Sequence, residues 1–175
     1  MIKAYKGITP NVHPTVFLED SAQIVGDVEI GEDSSIWFNT VLRGDVNYIR
    51  IGKRTNIQDG SLVHVTNGKY PTILEDEVSV AHGVILHGCH IKSRCLIGMG
   101  AIVLDNAVVG EDSIVAAGSV VAENTVVEAG WLTLGIPAKP KRRLKQEEME
   151  WIRRTAQNYI GYKNTYLEEQ SQEEK

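Results

Sequence analysis

A period of six residues runs through the chain, and no other feature constrains its fold as tightly. From position 85 the sequence divides into ILHGCH, IKSRCL, IGMGAI, VLDNAV, VGEDSI, VAAGSV, VAENTV and VEAGWL. Every unit opens on an aliphatic residue, from Ile85 to Val127. The fifth place is usually small (Cys95, Ala101, Ala107, Ser113, Ser119, Thr125) and the sixth mostly aliphatic (Leu96, Ile102, Val108, Ile114, Val120, Val126). Helices repeat every 3.6 residues and strands every two, so neither alone has this period. A short strand followed by a tight corner does. The first residue of each unit is then expected to point inward and stack on its equivalents above and below. Strands about 4.8 Å apart satisfy one another's backbone groups in such a coil. A β-sandwich would have to produce eight consecutive six-residue registers by chance. The expected fold is therefore mainly β, a left-handed parallel β-helix of hexapeptide repeats over residues 1–138.

Upstream the same period is interrupted twice. Ile24, Ile30, Ile36 and Leu42 share one phase, and Ile51, Ile57 and Val63 share another, three residues out of step. A third phase opens at Ile73, after Thr66-Asn67-Gly68-Lys69-Tyr70-Pro71. These slips predict a corner bulge at 46–50 and a protruding loop at 66–71. Loops projecting from a rigid coil are common places for function.

After Gly135-Ile136-Pro137-Ala138 the pattern changes. Leu144, Ile152, Ala156, Tyr159 and Ile160 recur on one helical face, with Trp151 and Tyr166 adding apolar area. A helix over about 144–166 is expected within residues 139–175, packed on the outside of the coil, with EEQSQEEK as a frayed tail.

Composition narrows the function classes. Residues 1–138 hold 9 Lys and Arg against 16 Asp and Glu, while 139–175 hold 9 against 7. A body this acidic argues against a general nucleic-acid surface. The cluster Lys139, Lys141, Arg142, Arg143 and Lys145 is read as a solvated segment between packed elements. The first ten residues carry no apolar run of signal length, and no later stretch suits a bilayer, so a cytoplasmic protein with no membrane partner is expected. Cys89 and Cys95 cannot make a disulfide framework and are read as reduced.

Three of the five histidines, His64, His82 and His87, lie within 24 residues around the phase break. His64 follows inward-pointing Val63. His82 and His87 flank a corner and point in diverging directions, so a neighbouring subunit is expected to supply the missing ligand of a shared metal site. Imidazole favours zinc, iron, copper or nickel, and three protein ligands leave a position open for water. His13 and His90 have no such company and are read as structural. A second polar group, Arg43-Gly44-Asp45 with Asn56, Gln58 and Asp59, interrupts an otherwise apolar pattern. It fits either a solvated edge of the coil or a subunit interface beside the metal, because unpaired buried charge is costly.

These residues resemble the gamma-class carbonic anhydrase family, in its short form without an extended acidic loop. The resemblance rests on SSIWFNTVLRGD at 34–45, IGKRTNIQDGSLVH at 51–64, VAHGVILHGCHI at 80–91, IGMGA at 97–101 and GIPAKPKR at 135–142. It implies a homotrimer with a metal, Zn2+ or alternatively Fe2+, at each subunit interface, ligated by His64, His82 and His87. Arg43, Asp45 and Asp59 match the polar residues that link subunits near the site, with Asn56 beside them. Gln58 matches the residue that orients a metal-bound hydroxide, and Tyr159 the helix tyrosine that approaches the site. The implied reaction is reversible hydration of CO2 to bicarbonate.

The chain departs from the family's pattern in its proton shuttles. Val46 stands where a glutamate would follow the RGD, and the loop VTNGKYP carries no carboxylate. Without those shuttles the expectation is CO2 hydration that is slow, that uses Tyr159 or water for proton transfer, or that is absent. Competing expectations are a metal-dependent thioesterase or other hydrolase on the same site, a hexapeptide acyltransferase, and a non-catalytic trimeric scaffold.

Overall fold

A computed structural model describes residues 1–173 of the chain. It is a parallel β-solenoid of about seven turns with one helix, Gln146–Glu173, laid along its side. Short strands stack into three columns. One runs through Val41–Ile51, Leu62–His64, Ile85–His87, Ile102–Val103 and Val120–Val121. A second runs through Thr72–Leu74, His90–Ile91, Val108–Val109 and Val126–Val127. The third runs through Phe17–Leu18, Ser35–Ile36, Asn56–Ile57, Ser79–Val80, Leu96–Ile97 and Ile114–Val115.

Inside, each column presents one aliphatic side chain per turn. Leu42, Val63, Leu86, Val103 and Val121 stack in the first, and Ile36, Ile57, Val80, Ile97 and Val115 in the third, all fully buried. Full burial of such a side chain stabilises by about 1.5–3 kcal/mol, so these columns are the main source of stability. The corners need left-handed backbone. Asn39, Gly60, Gly83, Gly100 and Gly118 supply it at one edge. At another, Asp33, Arg54, Glu77, Arg94 and Asp112 take positive φ despite their side chains.

That second corner is a ladder of charge. Arg54 donates to Glu77 at 2.9 and 3.1 Å, and Arg94 to Asp112 at 2.9 Å through two nitrogens. The helix reaches this ladder through Arg153, 3.2 Å from Asp112, and through buried Lys163, 3.1 Å from Asp33. Next to Arg153, Ile152 packs with Leu96, Ile114 and Leu144. At the helix start, Glu148 accepts from the Lys145 N–H at 2.8 Å, as a capping residue does.

Several expectations are corrected in detail. Ile73 and Ile85 do not point inward: Ile85 is exposed, whereas Leu74 and Leu86 are buried. The inward series 74, 80, 86 resumes at 91, so a third slip of one residue falls at the Gly88 corner. Adjacent aliphatic pairs such as Ile85-Leu86 hide such a slip from a reading by period. The helix runs well beyond 166 through most of the segment read as a tail; its last two residues, 174–175, lie outside the described residues. The basic segment is a strand, Ala138–Arg143, antiparallel to Trp131–Gly135, and Lys139, Lys141, Arg142 and Arg143 on it are exposed. The bulge and the loop stand where the slips put them. The register shifts between Gly26 and Val28 opposite the segment after Gly44, and Thr66 bridges Tyr70 across the loop.

Candidate metal centre

Each coil is closed by residues that repeat about every 18 positions, but the coil joining His64 to His87 takes 23. The extra length is the loop at 66–71. Because the loop adds residues without shifting the inner column, His64 and His87 fall at equivalent places on adjacent strands, Leu62–His64 and Ile85–His87, and pair in register. Their rings are 5.1 Å apart between centroids.

The partners of each ring decide what the pair can do. His64 Nε2 stands 3.1 Å from Asp45 Oδ1, and His87 Nδ1 stands 2.6 Å from Asp105 Oδ1. A carboxylate only accepts, so in each ring the nitrogen facing it carries the proton and the other presents a lone pair. Those remaining nitrogens, His64 Nδ1 and His87 Nε2, face each other at 3.1 Å. Two lone pairs so placed repel unless a cation lies between them. Imidazoles sharing a tetrahedral ion at about 2.0–2.1 Å have nitrogens roughly 3.3 Å apart, so the donor pair fits a transition metal.

Electrostatics favour neutral, ligand-competent imidazole here. Burial pushes the His64 pKa below its ordinary value, with Arg43 and His87 adding to the effect and Asp45 opposing it. Burial would raise the Asp45 carboxyl, but hydrogen bonds from Arg43 and His64 outweigh it and hold it below the usual range. Asp105 is depressed in the same way: burial raises it, and Thr66 and His87 overcome that.

His82 stands elsewhere. It sits on the corner ahead of Ile85–His87, while His87 ends that strand, so one strand face separates the two. His82 Nδ1 is 2.7 Å from Asp59 Oδ2, one coil below. Among the described residues, no three His, Cys, Asp or Glu side chains of a single chain form a metal-binding group. The three predicted histidines thus fall into two candidate half-sites, at opposite edges of one face. Between them runs an outward aliphatic ladder, Val41, Leu62, Ile85, Ile102 and Val120, on which Leu62 is 40% and Ile85 39% exposed.

The other predicted residues divide between the half-sites. Arg43 pairs with Asp45 at 2.5 Å beside His64. Gln58 and Asn56 are buried near His82; Gln58 Nε2 donates to Asn56 Oδ1 at 3.0 Å, and Asn56 Nδ2 to Ser79 Oγ at 2.9 Å. Tyr159 stands edge-on to Trp37 with centroids 5.5 Å apart. Burial, with Asp59 nearby, pushes its phenol up to about 12, so it keeps its proton at neutral pH. A trough of about 400 Å³ opens beside Gln58, His82 and Tyr159 and continues over Leu96, Met99 and Ile114. Sequence reasoning missed Asp105 and Thr66. Asp105 lies 18 residues beyond His87, but the slip at Gly88 makes the step from Ile85 to Ile102 only 17, so a reading by period does not place the two together.

His13 and His90 are accounted for structurally, by Thr15 at 3.0 Å and Glu75 at 2.9 Å. Burial drives both cysteine thiols up to about 12, which leaves them unreactive. No helix of the described residues is long and apolar enough to cross a membrane.

The chain is similar to several known proteins. Residues 88–123 match the bacterial transferase hexapeptide (six repeats) family. The protein called carbonic anhydrase in Geobacillus kaustophilus is 51% identical over 160 residues, covering 91% of this chain and 87% of its own. Protein YrdA of Escherichia coli is 44% identical, covering 98% and 97%. A Bacillus cereus crystal structure, described as a putative acetyltransferase, superposes with a TM-score of 0.92 at 45% identity, covering 94% of this chain and 95% of its own.

Proposed function

Since the chain belongs to the gamma carbonic anhydrase family of hexapeptide-repeat proteins, we propose that it is a metal-dependent carbonic anhydrase-like enzyme, hydrating CO2 reversibly to bicarbonate. The observation that carries this reading is the pairing of all three histidines, each through one ring nitrogen, with a carboxylate: Asp45, Asp59 and Asp105. Such carboxylate–histidine pairs are the usual support of metal ligands. His64 and His87 of one copy and His82 of the next are the proposed ligands of Zn2+ or Fe2+, to both of which imidazole is suited. A heterologous contact that joins one edge of a face to the other edge of its neighbour gives a ring where the rotation between copies closes, and a homotrimer is the ring proposed here.

A divalent ion held there by His64, His87 and a neighbouring copy's His82 would lower the pKa of bound water and so supply a nucleophile at neutral pH. The chain's own residues do the rest. Asn56 and Ser79 fix the amide of Gln58, which leaves Gln58 Oε1 as an acceptor to orient the attacking water. Asp45 and Asp59 hold His64 and His82, and Arg43, 46% exposed beyond Asp45, is the cation available to a neighbouring copy. Tyr159 keeps its proton and serves as a hydrogen-bond donor rather than a shuttle. With no carboxylate at Val46 or on the loop, protons leave through solvent and its buffers.

Stopped-flow CO2 hydration on protein purified without oxygen, loaded separately with zinc and ferrous iron, tests the proposal. The expected result is metal-dependent turnover lost in His87→Ala. Bound metal with no turnover in either form overturns it. The trough over Leu96, Met99 and Ile114 favours one second reading, a hydrolase acting on small acyl substrates at the same site. Short-chain ester and thioester hydrolysis by the same preparations separates the two.

A further inference from the structure

The proposed ligand His87 is held by a device that extends past its first partner. Asp105 accepts from His87 Nδ1 at 2.6 Å through Oδ1, and from the Thr66 hydroxyl at 2.5 Å through Oδ2. Thr66 opens the loop at 66–71 and is itself fixed. Its N–H donates to Tyr70 O at 2.9 Å, and its carbonyl accepts from Asn47 Nδ2 at 3.0 Å. Asn47 lies in the bulge that follows Arg43-Gly44-Asp45, so both interruptions of the repeat meet at this threonine.

The seat of Asp105 is built rather than incidental. Gly88, next to His87, has φ +56, and a Cβ there would lie 2.5 Å from Asp105 Oδ1 and 2.9 Å from Tyr70 Cβ. Only glycine leaves room for the carboxylate to reach His87. The corner itself does not need the bond. One coil further, the equivalent Glu123 makes no side-chain hydrogen bond or ion pair among the described residues.

We propose that Asp105 is a positioning residue for the metal, fixing the tautomer and ring angle of His87, and that Thr66 locks Asp105 and thereby couples the loop to the site. The inference rests on the metal reading above. A carboxylate held at two points has a single orientation, so the imidazole it accepts from is presented to the ion already aligned, with its lone pair on Nε2. Losing such a partner typically weakens metal affinity by about 10–100-fold.

The test is zinc affinity, measured by competition with a chelator, together with 15N chemical shifts of His87 in the metal-free protein. Asp105→Ala is expected to bind zinc about 10–100-fold more weakly and to give a mixture of His87 tautomers. Asp105→Asn keeps an acceptor oxygen and is expected to restore the Nδ1–H tautomer and part of the affinity. Thr66→Val leaves the carboxylate in place but unlocked, and is expected to lose less; it also stands in should Asp105→Ala fold poorly. A wild type that takes up zinc no more tightly than Asp105→Ala, with the tautomer unchanged, overturns this assignment alone. A wild type that takes up no metal overturns the metal reading and this assignment with it.

Discussion

Replacing Leu62 and Ile85 together by serine tests the division of the site between copies without touching a candidate ligand. Both side chains point outward on the ladder between the half-sites, 40% and 39% exposed. Burying a whole leucine or isoleucine is worth about 1.5–3 kcal/mol, so the two-fifths still exposed amount to about 1 kcal/mol at each position. Two such positions on each of three copies give about 6 kcal/mol over a trimer. That corresponds to a fall of roughly ten-thousandfold or somewhat more in its association constant. The coil should survive, because the inward neighbours Val63 and Leu86 are untouched and fully buried. Sedimentation from micromolar to nanomolar concentration, with zinc measured in parallel, reads the outcome. The wild type is expected to stay trimeric with one metal per subunit, and the double variant to dissociate and lose metal as it does so. A double variant that sediments like the wild type at every concentration, with metal unchanged, refutes the argument that this face joins the half-sites.

Other consequences follow from the same geometry. His82→Ala removes an exposed corner side chain, so zinc binding should vanish while the melting temperature of the metal-free protein stays within a few degrees of wild type. Ile97→Ala cuts a fully buried residue from the third column and should cost about 2–5 kcal/mol, read by denaturant unfolding. Glu148 is held down at about 2 by hydrogen bonds from Arg142 and the Lys145 N–H, against an ordinary 4.5. Its stabilisation is therefore complete above about pH 4.5 and is lost as pH falls through 2, a loss that Glu148→Gln should abolish in acid melts followed by helix ellipticity. Because neither Val46 nor the loop at 66–71 offers a carboxylate, CO2 hydration should rise steeply with the concentration of a small buffer such as imidazole. Turnover independent of buffer points instead to a proton path through the protein.

Much of this architecture was legible in the sequence, because a solenoid writes its period directly. Seven unbroken hexads from Ile91 to Val127 announce the coil, and the positions of Ile51 and Ile73 announce the bulge and the loop. The slip at Gly88 escaped because Ile85-Leu86 offers an aliphatic residue in either phase, and only burial distinguishes them. Asp105 escaped for a related reason. Its link to His87 follows from coil length, and a reader who has the phase wrong by one cannot carry a partner forward 18 residues. Asp59 and His82 were both singled out, yet their contact across 23 residues depends on the same length. The separation of the three histidines between two edges was expected from diverging corner positions, whereas the carboxylate behind each ring needed coordinates.

The irregular coils explain why a repetitive fold can hold chemistry at all. Where coils are regular, from Val103 to Val121 and beyond, each column repeats one kind of residue and nothing converges. Between Arg43 and Asp105 the coils vary in length: Val41 pairs with Leu62, Leu62 with Ile85, and Ile85 with Ile102, steps of 21, 23 and 17. Every candidate residue of the coil lies in that stretch. The added residues bulge from the corners while Leu42, Val63, Leu86 and Val103 keep an unbroken inner column, so the core loses little. What the corners gain is a fixed stage, with strands that set the histidines in register and loops that bring Thr66 and Asn47 behind them. Stability and site are thus written in different parts of the same coil, which is why a serine on the outer ladder and an alanine in the inner column should have separable effects.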